Sequence, residues 1–189
     1  FTMAKGAIAF ARTFANSIKG AFVLLDEEHP CGRVVKRYSD KIYTYDFFYY
    51  RASDLKKDVA LRDFTINTLL RSISDDKDVD YQHAQKDLKA KTIRMVSNRA
   101  FKDDPLRLMR AFSLQAQLGF KIETKTFKQI VKDSALISRV SVERIREELF
   151  KVLSSARAFD TFKQMDKAGL FLRVIPQLYV MKGVHQGGY

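Results

Sequence analysis

Asp103-Asp104-Pro105-Leu106-Arg107 sets two carboxylates ahead of a proline and a guanidinium three residues after the second acid. Proline suits the first helical position, where its missing N–H costs nothing. Asp104 then falls at the N-cap, a position that Asp favours. Leu106, Met109, Phe112, Ala116 and Leu118 recur at helical spacing up to Gly119, which can terminate a helix. The spacing predicts a helix from this pentapeptide to Gly119, with Asp104 and Arg107 as surface neighbours. One acceptor beside one donor is a base reader. Adenine and cytosine present an amino donor next to a ring-nitrogen acceptor, whereas guanine and uracil present a carbonyl and an N–H. An Asp that accepts and an Arg that donates would take A and C and refuse G and U. On the pentapeptide alone, a capped surface helix with a solvated Arg is the better reading.

A second cluster is Arg62-Asp63-Phe64-Thr65-Ile66-Asn67. In a helix, Asp63 and Asn67 share a face with Arg62 beside them, while Phe64, Ile66, Leu69 and Leu70 turn toward a core. The Arg could hold a phosphate, and the Asp and Asn sugar hydroxyls. Without context, an ordinary polar helix face is preferred. A third candidate is Asp46, an acid inside the apolar run Lys41–Phe48. It must face water, pair with a cation or hold a metal. From the strand alone, facing water is the better reading.

The elements that would position these groups can be read in order. Residues 3–19 form an amphipathic pattern ending at Gly20. Residues 21–25 read as a short buried strand, 26–32 as a polar turn containing Pro30, and 33–38 and 41–48 as two more strands. One helix followed by three strands predicts part of an α+β domain. Residues 54–61 are helix-compatible, and 74–96 read as a loop or hairpin leading out of that domain. From Asn98 onward the pattern is helical, with segments at 120–130, 141–153 and 156–172. Pro176 marks a break, and 183–188 read as a loose end.

The chain has 189 residues, 46% of them hydrophobic and 30% charged, enough for one large or two small domains with a real core. Its net charge of +12 is uneven: residues 1–70 carry +3 and residues 71–189 carry +9. The basic C-terminal portion suits a polyanion such as RNA, or an anionic membrane surface. A single cysteine, Cys31, excludes an internal disulfide and a Cys-rich zinc site, and fits a reducing cytoplasm. No apolar run approaches the roughly 20 residues of a membrane helix, and no secretory signal pattern opens the chain.

Three segments together resemble a known family. Asp58-Val59-Ala60-Leu61-Arg62-Asp63-Phe64-Thr65-Ile66-Asn67 resembles the "DLxxRRDFTINA" motif of the bacterial-type (class II) tRNA nucleotidyltransferases and poly(A) polymerases. Asp103–Phe112 resembles their "EDxxR" base-template motif and the helix around it, and Leu118-Gly119-Phe120 follows as in the family. Val142–Leu149 resembles their "ERIxxEL" segment. The resemblance implies a partial nucleotidyltransferase head of the DNA polymerase β type over 1–97, a helical neck over 98–155, and the start of a helical body over 156–189. It implies transfer of C and/or A from CTP or ATP to the 3′-hydroxyl of tRNA or another RNA, with two Mg²⁺ ions. Arg62, Asp63 and Asn67 would hold ribose and phosphates, Asp104 and Arg107 would read the base, and Arg110 would join them at the nucleotide. Asp46 would be a third, catalytic, metal-site carboxylate.

Three departures accompany the resemblance. The family's opening motif, a Gly-Gly loop followed by a strand with Asp-x-Asp, does not occur, so the main metal ligands are expected upstream of residue 1 and the chain by itself is expected to be inactive. Leu61 replaces the first Arg of "RRD". Tyr81–Gln85 replaces a Gly-rich turn. Gly183–Tyr189 resembles the lead-in to an HD-type domain of some relatives. CCA addition, A-only addition and poly(A) addition share all three motifs. A non-catalytic RNA-binding homologue that lost the metal site is the rival class, and oligomeric state cannot be read from the sequence.

Overall fold

The computed structural model describes residues 1–25, 31–181, 183 and 184. The chain forms two compact units, residues 1–59 and 60–189. The turn expected at 26–32 lies outside the described residues for 26–30, and so does the HD-like lead-in over 185–189.

The first unit is a four-stranded sheet with a helix on one face. Its elements are β1 (Thr2–Met3), α1 (Ala7–Ile18), β2 (Ala21–Leu24), β3 (Cys31–Tyr38) and β4 (Lys41–Tyr49). The strand order is β1-β4-β3-β2, with β1 parallel to β4 and the other pairs antiparallel. Met3 is therefore strand, together with Thr2, rather than the expected start of a helix. Pairing with Phe48 and Tyr49 outweighs their helical spacing, and Gly6, in the left-handed region, turns the chain into α1. Ala7, Ala11 and Ala15 are buried against Val34 and Phe47. Small residues on α1 and Gly32 on β3 let helix and sheet approach closely: a Cβ on Gly32 would lie 2.8 Å from the Ala11 Cβ. β2, expected to be buried, is a largely exposed edge strand. β3 starts at Cys31, inside the expected turn.

The second unit is mainly helical. After α2 (Leu55–Ala60) at the junction of the units come a 3₁₀ turn (Thr65–Asn67), the hairpin β5 (Leu70–Arg71) and β6 (Asp78–Val79), α3 (Ala84–Lys89) and β7 (Thr92–Ile93). Then follow α4 (Ala100–Asp103), α5 (Arg107–Leu118), β8 (Lys121–Ile122), α6 (Thr124–Asp133), a second 3₁₀ turn (Ser134–Arg139), α7 (Val142–Leu153), α8 (Ala158–Lys167), α9 (Phe171–Val174) and a third 3₁₀ turn (Pro176–Met181). α5 is the axis of this unit. Leu108, Met109, Ala111, Phe112 and Ala116 are fully buried, and Arg107 and Ser113 are buried with them. Phe64, Ile66, Ile93 and Met95 share this core with Phe101, Ile130, Ile137, Met165 and Leu170, so residues 60–97 pack with the helices. α5 ends at Gly119, at φ 69°, as its sequence position predicts. The Arg157 guanidinium lies 2.9 Å from where a Gly119 Cβ would stand, but it ends a flexible side chain, so it is the backbone angle that calls for glycine there. The helix expected over 156–172 is broken at Gly169, at φ 66°, into α8 and α9.

Candidate nucleotide-reading site

The Arg62–Asn67 segment is not a helix. Phe64 is extended, fully buried and bridged to Met95. The Thr65 N–H donates to the Arg94 carbonyl at 2.8 Å, and the Val96 N–H to the Asp63 carbonyl at 3.1 Å. Burying Phe64 in the core overrides the helical periodicity, and only Thr65–Asn67 coil, as a 3₁₀ turn. Asp63 and Asn67 still meet, because this turn folds one back on the other: Asn67 Nδ2 donates to Asp63 Oδ1 at 2.9 Å. The Phe64 N–H donates to the same oxygen at 2.8 Å. Arg62 Nη1 donates to the Asn67 carbonyl at 2.8 Å and closes the turn.

A buried polar network holds the turn from behind. Thr65 Oγ1 donates to Asp87 Oδ2 at 2.6 Å, and Arg94 Nε donates to the same oxygen at 2.9 Å. Arg94 also pairs with Glu123 at 2.6 Å, and Glu123 caps α6 by accepting from the Thr126 N–H at 3.0 Å. Burial pushes the Asp87 carboxyl up, but the Arg94 and Thr65 hydrogen bonds outweigh it and hold it below its ordinary value.

The helix at the pentapeptide begins later than its spacing predicts. α4 ends at Asp103, Asp104 is extended, and α5 starts at Arg107. Asp104 still serves the helix start, since Oδ1 accepts from the Leu106 N–H at 3.2 Å and its carbonyl from the Arg107 N–H at 3.1 Å. Its other oxygen faces Arg144 Nη2 of α7 at 3.3 Å. Asp104 and Arg107 are therefore close along the chain, but their side chains point to different partners. The Arg107 guanidinium turns inward, donating to the carbonyls of Leu61 at 2.8 Å, Ala100 at 3.2 Å and Arg62 at 3.4 Å.

Arg110, one turn further on, makes the ion pair with Asp63. Its Nε and Nη2 reach Asp63 Oδ2 at 2.9 and 2.8 Å. Burial alone would raise the Asp63 carboxyl, but the Asn67 hydrogen bond, the Arg110 charge and the Phe64 N–H together hold it below the ordinary carboxylate range. On the far side of Arg110 lies Glu148 of α7, 3.8 Å from Nη1. Glu148 is buried, accepts from Ser113 Oγ, and pairs with Lys151 at 2.7 Å. Two arginines of α5 thus bind the 61–67 turn, Arg107 through its backbone and Arg110 through Asp63. Arg62, Asp63, Asn67, Arg107 and Arg110 form one connected group with Asp104 at the mouth of the helix.

Glu148, Arg144, Asp87 and Arg94 belong to this group, although no role was read for them from the sequence. Glu148 carried a signal: it interrupts the apolar stripe Ile145, Leu149, Val152 of α7. An acid on the buried face of an amphipathic helix requires a cationic or hydroxyl partner.

Asp46 stands elsewhere, in the first unit, opposite Arg33 in the β3–β4 register. Arg33 Nε and Nη2 hold Asp46 Oδ1 and Oδ2, each at 2.7 Å. Arg33 draws the Asp46 carboxyl below its ordinary value, against a smaller opposing effect of burial. Both oxygens of Asp46 are engaged by a guanidinium, and among the described residues no group of three or more His, Cys, Asp or Glu gathers to hold a metal ion. Asp46 is thus a partner of Arg33 here, and the described residues by themselves assemble no metal centre. No helix among the described residues is long and apolar enough to cross a membrane.

Comparison with known proteins gives the family of the chain. Residues 12–94 match the family described as "Poly A polymerase head domain", and residues 119–181 match "Probable RNA and SrmB- binding site of polymerase A". A CC-adding tRNA nucleotidyltransferase of Geobacter sulfurreducens is 38% identical over 159 residues, covering 84% of this chain and 36% of the relative. Poly(A) polymerase I of Escherichia coli O6:H1 is 32% identical over 126 residues, covering 66% of this chain and 27% of the relative. The chain spans about a third of the length of these curated relatives. The Thermotoga maritima CCA-adding enzyme, solved in complex with tRNA, superposes with a TM-score of 0.82 at 24% identity over 98% of this chain and 44% of that one, a likeness of fold. With three ordered motifs, two matching domain descriptions and a shared α+β fold, the chain belongs to the bacterial-type (class II) tRNA nucleotidyltransferase and poly(A) polymerase family.

Proposed function

We propose that the full-length protein is an RNA 3′-nucleotidyltransferase that adds C and/or A, from CTP or ATP, to the 3′ end of tRNA in the cytoplasm. The observation that carries this reading is that Arg107 and Arg110 of α5 hold the Leu61–Asn67 turn, so two polar clusters 40 residues apart form one surface. A nucleotide seated there would have the Arg62–Asn67 turn beside its sugar and phosphates and the Asp104 carboxylate beside its base. Asp104 accepts from the amino group of A or C; G and U present a carbonyl at the corresponding position and are repelled. The protein thereby does the work of a template strand. Arg107 supplies the matching donor only by exchanging carbonyl contacts for the base, so its first role is to set the distance between turn and helix. Arg110 holds Asp63 in its ionised form. In this reading residues 1–97 act as the head, 98–155 as the neck and 156–189 as the start of the body.

Transfer joins the RNA 3′-oxygen to the α-phosphorus of the nucleotide and releases pyrophosphate. Magnesium belongs to the proposal through the family. Among the described residues no group of three or more His, Cys, Asp or Glu gathers to hold it. Poly(A) addition is the second reading, favoured by the match to poly(A) polymerase I.

The test incubates the full-length protein with Mg²⁺, each nucleoside triphosphate singly, and tRNA lacking its CCA end. Addition of one to three residues from CTP or ATP supports tRNA end synthesis, and long ATP-dependent tails support poly(A) addition. Binding of RNA with no incorporation from any nucleotide leaves the non-catalytic homologue and overturns the proposal.

A further inference from the structure

β2 is an outer strand of the first unit's sheet. In the order β1-β4-β3-β2 it pairs with β3 alone among the described residues. The Leu25 N–H donates to the Cys31 carbonyl at 3.0 Å, one position beyond the last residue pair of the ladder, Leu24 with Gly32. Hydrogen-bonded pairs alternate along an antiparallel ladder. Ala21, Val23 and Leu25 therefore turn their N–H and C=O groups toward β3, and Phe22 and Leu24 turn theirs outward.

This outward edge lacks the usual protection. Strand edges are commonly blunted by lysine, proline or a bulge, because a row of open N–H and C=O groups pairs readily with another strand. Ala21-Phe22-Val23-Leu24-Leu25 contains no charge and no proline, and it pairs with β3 residue for residue, without a bulge. Val23 and Leu24 are each 45% exposed, and Leu25 is 47% exposed. Phe22 lies on the α1 face of the sheet, with the Arg12 guanidinium carbon 4.3 Å from its ring centre. Val23 lies on the opposite face. Its neighbour in the register is Arg33, whose guanidinium is engaged by Asp46.

We infer that β2 is a self-pairing edge that joins two copies of the protein, antiparallel, about a two-fold axis through Val23. Phe22 of one copy stands opposite Leu24 of the other, and each donates its outward N–H to the other's carbonyl. Val23 meets Val23 of the partner copy across the axis. The exposed Leu24 gains an apolar neighbour in the partner copy's Phe22. Such an interface uses the same patch on both copies and closes on itself. The flanks select both the direction and the partner. In the sequence, Lys19 stands four residues before Val23, and Asp26, Glu27 and Glu28 stand three to five residues after it. Antiparallel pairing about Val23 sets a basic flank against an acidic one at each end, whereas parallel pairing sets like charges together. A strand from another protein would need this same polarity reversed, and a second copy supplies it. Nothing in the pairing depends on the reaction proposed above.

The test uses the full-length protein and sedimentation velocity over a range of concentrations. Wild type is expected to pass from monomer to dimer as concentration rises. Val23→Lys and Val23→Glu each set two like charges face to face at the axis, so each is expected to raise the dissociation constant of the dimer about 10-fold or more. Val23 is a surface residue, and thermal melts establish that both variants are folded. Mixed in equal amounts, the two variants are expected to form a heterodimer, because lysine then faces glutamate. Wild type that stays monomeric at every concentration overturns the inference. So do variants that each dimerise as wild type does, since the copies then meet elsewhere. A mixture that stays monomeric removes the axis through Val23 and overturns the inference as well.

Discussion

Asp104 faces Arg144, forty positions further along the chain, and not Arg107, three positions away. The pair joins the mouth of α5 to the first turn of α7 at 3.3 Å, and both side chains are partly exposed. An Arg in this position holds the carboxylate aimed, while leaving it open to a competing donor. Arg144→Ala is expected to free Asp104 to rotate. Its pairing energy is small, within about 1 kcal/mol for an exposed pair, so the melting temperature should barely move. Selection should suffer instead. Incorporation of each triphosphate assayed singly is expected to show a reduced preference for C and A over G and U. Unchanged preference with unchanged stability would show that Arg144 does not act on base selection through Asp104.

Arg107 behaves differently. Its guanidinium is buried and serves the carbonyls of Leu61, Arg62 and Ala100. Arg107→Ala leaves those acceptors without their donor, at about 1–3 kcal/mol for each buried group left unsatisfied. A clear drop in melting temperature is expected, together with a relaxed choice of base. Arg107→Lys should rescue little of either, because an ammonium cannot reproduce the spread of a guanidinium fork. Full stability in Arg107→Ala would sink the assignment of Arg107 as the tie between turn and helix.

Asp63 supplies a pH test. Its folded carboxyl sits below the ordinary value, as does that of Asp87. A depressed carboxyl contributes stability that is present above its unfolded pKa, about 3.9, and lost as pH falls through the lower, folded value. The protein is therefore expected to lose stability with acid chiefly below about pH 4. Asp63→Asn removes one titrating group and should flatten that slope while lowering stability at neutral pH. Breaking a buried pair costs about 3–5 kcal/mol. The Arg110 side chain is 36% exposed, so a loss of about 1–3 kcal/mol is expected. Chemical denaturation at several pH values measures both. A slope identical to wild type would remove Asp63 from the set of native-state anions.

Much of this was legible in the residues because short-range rules govern it. Gly119 ends α5 where the apolar repeat stops, and Ser141 precedes a helix with an acid in its first turn. The turn at Arg62–Asn67 was not legible as a turn. Its polar residues fit a helix face, and it is the distant Arg94 and Val96, which bind the backbone on either side of Phe64, that exclude it. The partners of Arg107 and Asp104 were hidden for the same reason. Spacing along one helix says which residues are neighbours, but not which side chain is drawn inward by unpaired carbonyls elsewhere. β2 misled in the opposite sense, since an apolar edge strand and an apolar central strand read alike.

Asp46 gives the last prediction. Arg33 and Asp46 face each other across β3 and β4 with two bonds of 2.7 Å, and each side chain is about one-third exposed. A partner of Arg33 and a metal ligand would fail in different ways. If Asp46 serves Arg33, then Asp46→Asn and Arg33→Ala remove one shared interaction, and the double variant should melt close to either single one. The coupling energy of a half-exposed pair with such geometry is expected near 1 kcal/mol. The Mg²⁺ concentration for half-maximal incorporation by the full-length protein should be the same in Asp46→Asn as in wild type. A metal ligand would instead show a large rise in that concentration, and Arg33→Ala, which frees the carboxylate, would lower it. That pattern would restore Asp46 to the metal centre and make Arg33 its competitor.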